Sequence, residues 1–558
     1  MKSAIDRELE PLPDESEKRI TTQPPALVEQ ELAERREELD AIGPDTDRED
    51  IVYDVGHDLL GREQEVDEIN LHDVILSAVE RNLFIQASSL QPSISAQEVT
   101  FAEAAFDALL FANADFEKLD QPEVQPVLAG TGAIGTGFNN SERYRFETGL
   151  RKRTTLGTTF EISTDLTRSQ NHTSGITLSP DPAYLSTVRL GLTQPLMRGF
   201  GKDVNTASIR LSENAQQEDI EQLRLDLLEI VADTEEAYWN LVFAWHDIAI
   251  QQWLVMVGED VRDILDRRRD FDTKPAQYAD AVATVEQRKG DVIAARRRLR
   301  RASDLLKTLI NDPKNTIGSE VLLKPSDSLI ETPLEYSLRD SIVTAIGNRP
   351  EIKQSALAIS DAQIRQNVAD NLRLPQLNLL AQVAYLGLDN DAGNSYEDLN
   401  NGDFIDYVLG LSFEYPLGNR AAESDYQRAR LQRTQALVNY WNTVQFVVLD
   451  VKSTLRDVIT TYELIQARRS FRVAQAENLR TLLVEEETLA SLTPEFLNLK
   501  FQRQEGLAIA RAQELQAMVN FDSSVANLYR AMGIGLKMKQ IVFEIPDPMA
   551  DPDDLRPR

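Results

Sequence analysis

The sequence predicts an α+β chain, mostly α, with two internal repeats. Each repeat carries strands followed by a long antiparallel helical hairpin. Three observations predict it. Residues 188–201, VRLGLTQPLMRGFG, start as an alternating strand and run through Pro195, Gly199 and Gly201 straight into a long helical pattern. Residues 409–418, LGLSFEYPLG, repeat the device with Pro416 and Gly418. LHDVILSAVERNLFI (71–85) aligns with LRDSIVTAIGNRPEI (338–352), which starts a second copy near Glu335.

The two strand-to-helix passages have a simple physical basis. Val188, Leu190 and Leu192 point one way, while Arg189, Gly191 and Thr193 point the other. Pro195 has no N–H and ends ladder pairing. Gly199 and Gly201 let the backbone turn. In the second passage Leu409, Leu411, Phe413 and Tyr415 share a face opposite Gly410, Ser412 and Glu414. Pro195, Gly199, Gly201, Pro416 and Gly418 are therefore expected to be structural hinges.

Composition narrows the class. The 558 residues carry a net charge of −32, a poor balance for binding nucleic acid. There is no cysteine, so neither disulfides nor thiolate chemistry is available. No run approaches the ~18 apolar residues of a membrane helix. The start, MKSAIDRELEPLPDESEK, lacks the apolar core of a secretory signal. Taken literally that means cytoplasm; the alternative is a signal already removed, or a true start upstream.

Taken in order, residues 1–66 are charged and proline-punctuated, which predicts a mostly disordered tail. Residues 67–334 form the first repeat. It has a helix striped by Leu71, Val74, Ile75, Ala78, Val79 and Leu83, strands at about 120–194, a helical hairpin at 202–311 and a connector at 312–334. The first long helix runs from about Thr206 to about Arg269, on the order of 90 Å. It breaks before Pro275. Residues 335–540 repeat the order, with a helix at 338–372, strands at about 376–416 around a polar loop, and a hairpin at 419–533 broken before Pro494. The first copy is longer before its hinge, which leaves room for an extra strand pair. Residues 541–558 are an acidic tail.

The strands alternate sharply. Tyr144, Phe146, Thr148 and Leu150 share a face opposite Arg143, Arg145, Glu147 and Arg151. Phe160, Ile162 and Leu166 oppose Glu161, Ser163 and Asp165. Such strands suit a half-buried soluble sheet, or a barrel with a wet lumen and a lipid face. On the barrel reading Tyr144, Phe146, Phe160, Ile162, Leu190, Leu411 and Phe413 face lipid. Too few strands to close alone leave open edges, which a bilayer does not tolerate, so closure demands further chains.

Little in the sequence points to chemistry. Residues 130–135 fit G-x-G-x-x-G, but loop and strand follow where a helix is needed. His57, His72, His172 and His246 have no partner at ligand spacing, so no metal is expected. The arginine runs at 267–269 and 296–301 read as helix surface charge. Trp239, Trp245, Trp253 and Trp441 read as helix packing. No nucleophile elbow, P-loop or zinc signature appears, so neither catalysis nor a cofactor is expected.

At the two hinges the chain resembles the TolC-like outer-membrane efflux family. LTQPLMRGFG (192–201), FEYPLG (413–418) and NLRLPQLNLLAQVAY (371–385) carry the resemblance, with the paired AVERNLFI (78–85) and AIGNRPEI (345–352). It covers roughly 68–535. It implies a homotrimer whose chains share one β-barrel in the outer membrane, with the long helices forming a periplasmic α-barrel. It further implies a periplasmic adaptor and an inner-membrane pump as partners. The chain would be a passive conduit for small molecules, metals or proteins in tripartite efflux or type I secretion. This sequence departs in three ways: it shows no signal, its first strand region is longer, and its charged N-terminal tail is unusual.

The resemblance puts the helix tips, 271–276 and 491–496, at the pump-facing mouth. Asp270, Asp272, Pro275, Pro494 and Glu495 mark the tip and gate. Threefold symmetry would gather Asp270 and Asp272 around one axis, where they would favour cations and help close the gate, with Arg267, Arg268 and Arg269 as counter-charges. The reading from another class is a soluble coiled-coil scaffold that binds partners through its long helices. The aromatic strand faces beside the hinge argue against it.

Overall fold

Helices dominate the computed structural model, and one six-stranded sheet accompanies them. It describes residues 2–10, 18–19, 32–44, 54–122, 127–128, 132–133, 138–173, 178–270, 273–329, 332, 335–488 and 493–546. The first half runs α1 (Leu71–Arg81), α2 (Leu83–Ser89), α3 (Gln91–Glu103), β1 (Ala108–Pro122), β2 (Phe138–Arg153), β3 (Thr159–Asn171), β4 (Ala183–Pro195), α4 (Ala207–Arg267) and α5 (Pro275–Ile310). The second half runs α6 (Leu338–Asn348), α7 (Pro350–Leu372), β5 (Gln376–Asp389), α8 (Ala392–Asn401), β6 (Ile405–Glu414), α9 (Arg420–Thr488) and α10 (Pro494–Ala531).

Local chemistry sets the helix ends. The Asn70 side chain caps α1 by accepting from the Asp73 N–H, and Val74, Ile75 and Ala78 are its buried stripe. Asn82 then leaves the helical region (φ −59°, ψ 126°), and its side chain caps α2. Arg349 makes the same break between α6 and α7 (φ −65°, ψ 126°). The single helix expected over 338–372 is therefore two, because Pro350 drives the residue before it into extended backbone.

The chain divides into two compact units that cut across the sequence halves. One comprises Met1–Ser93, Glu218–Ser355 and Asn439–Arg558; the other comprises Ile94–Gln217 and Ala356–Val438. Helices α4 and α9, of 61 and 69 residues, contribute to both. At 1.5 Å per residue they are about 90 and about 100 Å long.

In the first unit, α4 packs Tyr238, Leu241, Trp245 and Ile248 against Ala295, Leu299 and Leu306 of α5 and against Val519 of α10. A second cluster joins Ile250 and Leu254 to Val458, Tyr462, Leu515 and Phe521. Buried polar groups find partners. Trp245 Nε1 donates to the Leu323 carbonyl at 2.8 Å, and the Tyr238 hydroxyl donates to Asp327 at 2.5 Å. By length and composition α4 alone among the described helices could cross a membrane, but 56% of its most apolar window is buried in this packing. It is a core helix. Trp239 and Trp245 are buried as expected, whereas Trp441 is exposed.

The N-terminal region is not wholly a loose tail. Leu39 has no exposed surface and packs against Val473, Ala476, Leu479 and Leu507. Asp40 pairs with Arg472 at 2.7 Å, and Val55 joins the α4–α5 core. Leu32 and Ile42 pack against the same cluster, and the composition concealed this because three apolar residues among many charges make too short a stripe to read.

The second unit holds the sheet, ordered β1-β2-β3-β4-β5-β6 with every neighbour antiparallel. The strands start at Ala108, not near 120. Leu109, Leu110 and Phe111 run together, so the start of β1 shows no alternation, and Ala112 and Ala114 favour helix there. The polar loop expected after β5 contains α8. Asp391 caps it from its side chain, and Gly402 (φ 67°) ends it in left-handed backbone.

Candidate functional site

The register sorts the sheet into two faces. On one, Leu110, Ala112, Ala114 and Phe116 of β1 lie opposite Leu150, Thr148, Phe146 and Tyr144 of β2. Leu150 then faces Ile162, which faces Leu190, then Val383, then Tyr407. Tyr144, Phe146, Phe160, Ile162, Leu190, Leu411 and Phe413 all fall on this face, and all are exposed. Leu409 is 80% exposed. A run of large apolar side chains from edge to edge, open to the surroundings, exceeds what a soluble protein leaves uncovered.

The other face is charged and internally paired. Arg143 meets Glu117 at 3.1 Å, Arg151 meets Glu161 at 2.7 Å, and Arg189 meets Asp165 at 3.5 Å. Arg145 lies 3.7 Å from Glu147 and 3.9 Å from Asp165. Asp165 is only 5% exposed, beneath the two arginines.

Helix α8 lies on the apolar face, at the end away from the strand-to-helix turns. The Ser186 hydroxyl donates to the Ser395 carbonyl at 2.5 Å, and the Tyr396 and Thr164 hydroxyls are 3.1 Å apart. Gly387 leaves the gap the helix fills, since a Cβ there would strike the Ser395 carbonyl. The sequence signal was the small set Thr164, Ser186 and Gly387, each where the alternation calls for a large residue.

At the first turn, Gly199 (φ 83°) and Gly201 (φ 108°) occupy backbone that favours glycine. Gly199 N–H donates to Asn371 Oδ1 at 2.7 Å, and Asn205 Nδ2 returns to the Gly199 and Gly201 carbonyls at 2.9 and 2.8 Å. Pro195 is the last residue of β4. Gly157, unmarked in the sequence reading, has φ 91°, and a Cβ there would sit 2.5 Å from the Gly199 carbonyl. At the second turn Gly418 has φ 90° and Asn419 φ 41°, and Pro416 is exposed. Asn419 Nδ2 donates to the Arg373 carbonyl, Arg373 pairs with Glu423 at 2.8 Å, and its guanidinium lies 4.4 Å from the Tyr426 ring centre. A polar cavity of about 710 Å³ opens between Gly201, Asn371, Arg373, Tyr415 and Glu423.

The two helical hairpins meet close to their tips. Leu497 beside the second packs with Val261, Leu265 and Ala281 beside the first. Pro275 and Pro494 each open a return helix, and Thr493 caps the second by accepting from the Phe496 N–H at 3.3 Å. Asp270, Pro275 and Glu495 are exposed. Asp272 lies outside the described residues. Arg269 stacks on Tyr278 at 5.3 Å, and Lys500 pairs with Glu486 at 2.6 Å. Among the described residues no group of three or more His, Asp or Glu could hold a metal ion.

Residues 341–481 match the family model of outer membrane efflux proteins. An uncharacterized protein of Haemophilus influenzae is 24% identical over 340 residues, covering 57% of this chain and 70% of that protein. Three solved structures share the fold. The CmeC outer membrane channel of Campylobacter jejuni has a TM-score of 0.59 at 15% identity, over 88% of this chain and 95% of that one. The open state of the Neisseria gonorrhoeae MtrE outer membrane channel has 0.57 at 18%, over 84% and 89%. The Vibrio cholerae outer membrane protein VceC has 0.57 at 13%, over 83% and 96%. At these identities the likeness is one of fold. With the family match it bears out the resemblance read from the hinges.

Proposed function

We propose that this chain, with an outer membrane efflux protein signature over 341–481 and the fold of outer membrane channels, is the outer-membrane component of a tripartite efflux or type I secretion system. Three copies would share one barrel, with the apolar face of each sheet in lipid and the charged face lining water. Helices α4, α5, α9 and α10 would form the periplasmic conduit, their tips meeting an adaptor and an inner-membrane pump. Transport would be passive, driven elsewhere in the assembly.

The observation that carries this reading is the sheet. Its apolar side is continuous over six strands and uncovered except at α8, while its other side pairs charge with charge. Only a surface between lipid and water asks for both at once. The glycine turns serve as structural hinges that pass each strand into helix, and α8 would lie at the outer edge of the lipid belt. At the tips, Asp270 and Asp272, repeated around a threefold axis, would bias the mouth toward cations.

Purified chain added to a planar lipid bilayer tests this. Discrete channel openings that favour cations are expected. A protein that stays soluble without detergent and never conducts would contradict the reading.

A further inference from the structure

The second half of the chain supplies two strands to the sheet, whereas the first supplies four. We infer that the additional hairpin, β1–β2, is part of the channel wall, and that β1 of one copy pairs antiparallel with β6 of the next. The inference rests on the trimeric barrel proposed above. Six strands from each of three copies then close a ring of eighteen.

Four observations lead there. The first is the alternation. Leu110, Ala112, Ala114 and Phe116 continue the apolar face of the other strands without a break in parity. A hairpin projecting into water or plugging the lumen would have no use for that face. The second is the edges. All but two of the 15 residues of β1, on both faces, are exposed, and β6 is exposed along nearly its whole length, whereas β3 and β4 between them are mostly half-buried or buried. Edges 15 and 10 residues long, with no further strand on them among the described residues, are not tolerated in lipid.

The third is direction. Every neighbour in the order β1 to β6 is antiparallel, so β1 and β6 themselves run in opposite senses. One copy's β6 can therefore accept the next copy's β1 as its next antiparallel neighbour, and each junction repeats the last. The fourth is the charged face. Glu117 to Arg143 ties β1 to β2, and Arg151 to Glu161 ties β2 to β3. The hairpin is held in the wall on its water side. The alternative edge is β3, with only β3 to β6 in a ring of twelve. Barrel diameter grows roughly linearly with strand number, so the ring of eighteen would be about 1.5-fold wider and its cross-section about twofold larger.

The cysteine-free chain makes the test direct. Leu409→Cys on β6 is combined in turn with Leu110→Cys, Ala112→Cys or Ala114→Cys on β1, and separately with Phe160→Cys or Ile162→Cys on β3. Within one copy β1 and β6 lie five strand spacings apart, about 24 Å, and β3 and β6 about 14 Å, so neither pair can form a disulfide internally. Oxidation in membranes should give covalent dimers and trimers from at least one β1–β6 combination and none from β3–β6. Cross-linking through β3 instead overturns the inference and leaves the trimeric barrel standing. A chain that is monomeric in mild detergent overturns both. Where a trimer forms with neither cross-link, electron-microscopic projections down the barrel decide: eighteen strands support the inference and twelve overturn it.

Discussion

Single residues show where backbone geometry rather than contact chemistry constrains the chain. Gly157 and Gly201 both have positive φ, but only Gly157 faces a carbonyl where a Cβ would stand. Gly157→Ala should therefore reduce folded trimer much more than Gly201→Ala, which carries only the positive-φ backbone cost of about 1–3 kcal/mol. Semi-native gels of the two variants check this, and equal yields would remove Gly157 from the hinge. Tyr238 offers a second case. Burial and the adjacent Asp327 carboxylate push its phenol well above the usual range, so it stays a donor. Tyr238→Phe should cost about 0.5–1.5 kcal/mol in thermal unfolding, the worth of one hydrogen bond, because exposed Asp327 keeps the Leu71 N–H as a donor. Asp67 supplies a pH signature. Lys314 and Asn315, donating to it, hold its carboxyl below the usual value of 3.8. A depressed carboxylate contributes stability that is full above the ordinary value and lost as pH falls through the lower folded one. The melting difference between the parent and Asp67→Asn should thus be present at pH 6 and shrink below about pH 4.

At the scale of elements, the strands and long helices were legible where period and length spoke together. The alternation of 143–151 and 159–167 lies inside β2 and β3, and α4 ends within two residues of the expected Arg269. What stayed hidden had no period to read. β1 opens on Leu109, Leu110 and Phe111 without alternation, α8 is ten mostly polar residues held by caps, and Leu32, Leu39 and Ile42 are a few apolar residues among many charges. The strand-to-helix turn was visible in Pro195, Gly199 and Gly201, but its closest approach, at Gly157, needs the fold to bring strands together. Two variants probe these elements. Leu190→Arg, at the open apolar face, should cost about 2–4 kcal/mol near a bilayer midplane, and Gly191→Arg, on the charged face, much less. Similar losses in urea-gradient refolding into vesicles would refute the face assignment. Leu39→Ala should free the N-terminal segment from α9 and α10, read as faster protease cleavage before residue 54 with the rest of the chain unchanged.

For the whole molecule the question is what its open edges and long helices require. A helix of 69 residues is far longer than one globular core can cover, and a sheet with two bare edges cannot sit alone in a membrane. On the proposed function, both would be resolved by identical neighbours around one axis. The same symmetry would multiply the tip acids. Asp270→Asn together with Asp272→Asn should lower cation preference in a planar bilayer, seen as a reversal potential moved toward zero, and an unchanged potential would place the selective constriction elsewhere. The account as a whole turns on assembly, and the mass of the detergent-solubilised particle measures that most directly. Native mass spectrometry in a mild detergent should give three chains of 62.8 kDa with the β-sheet signal intact. A stable single chain with full strand content would contradict it.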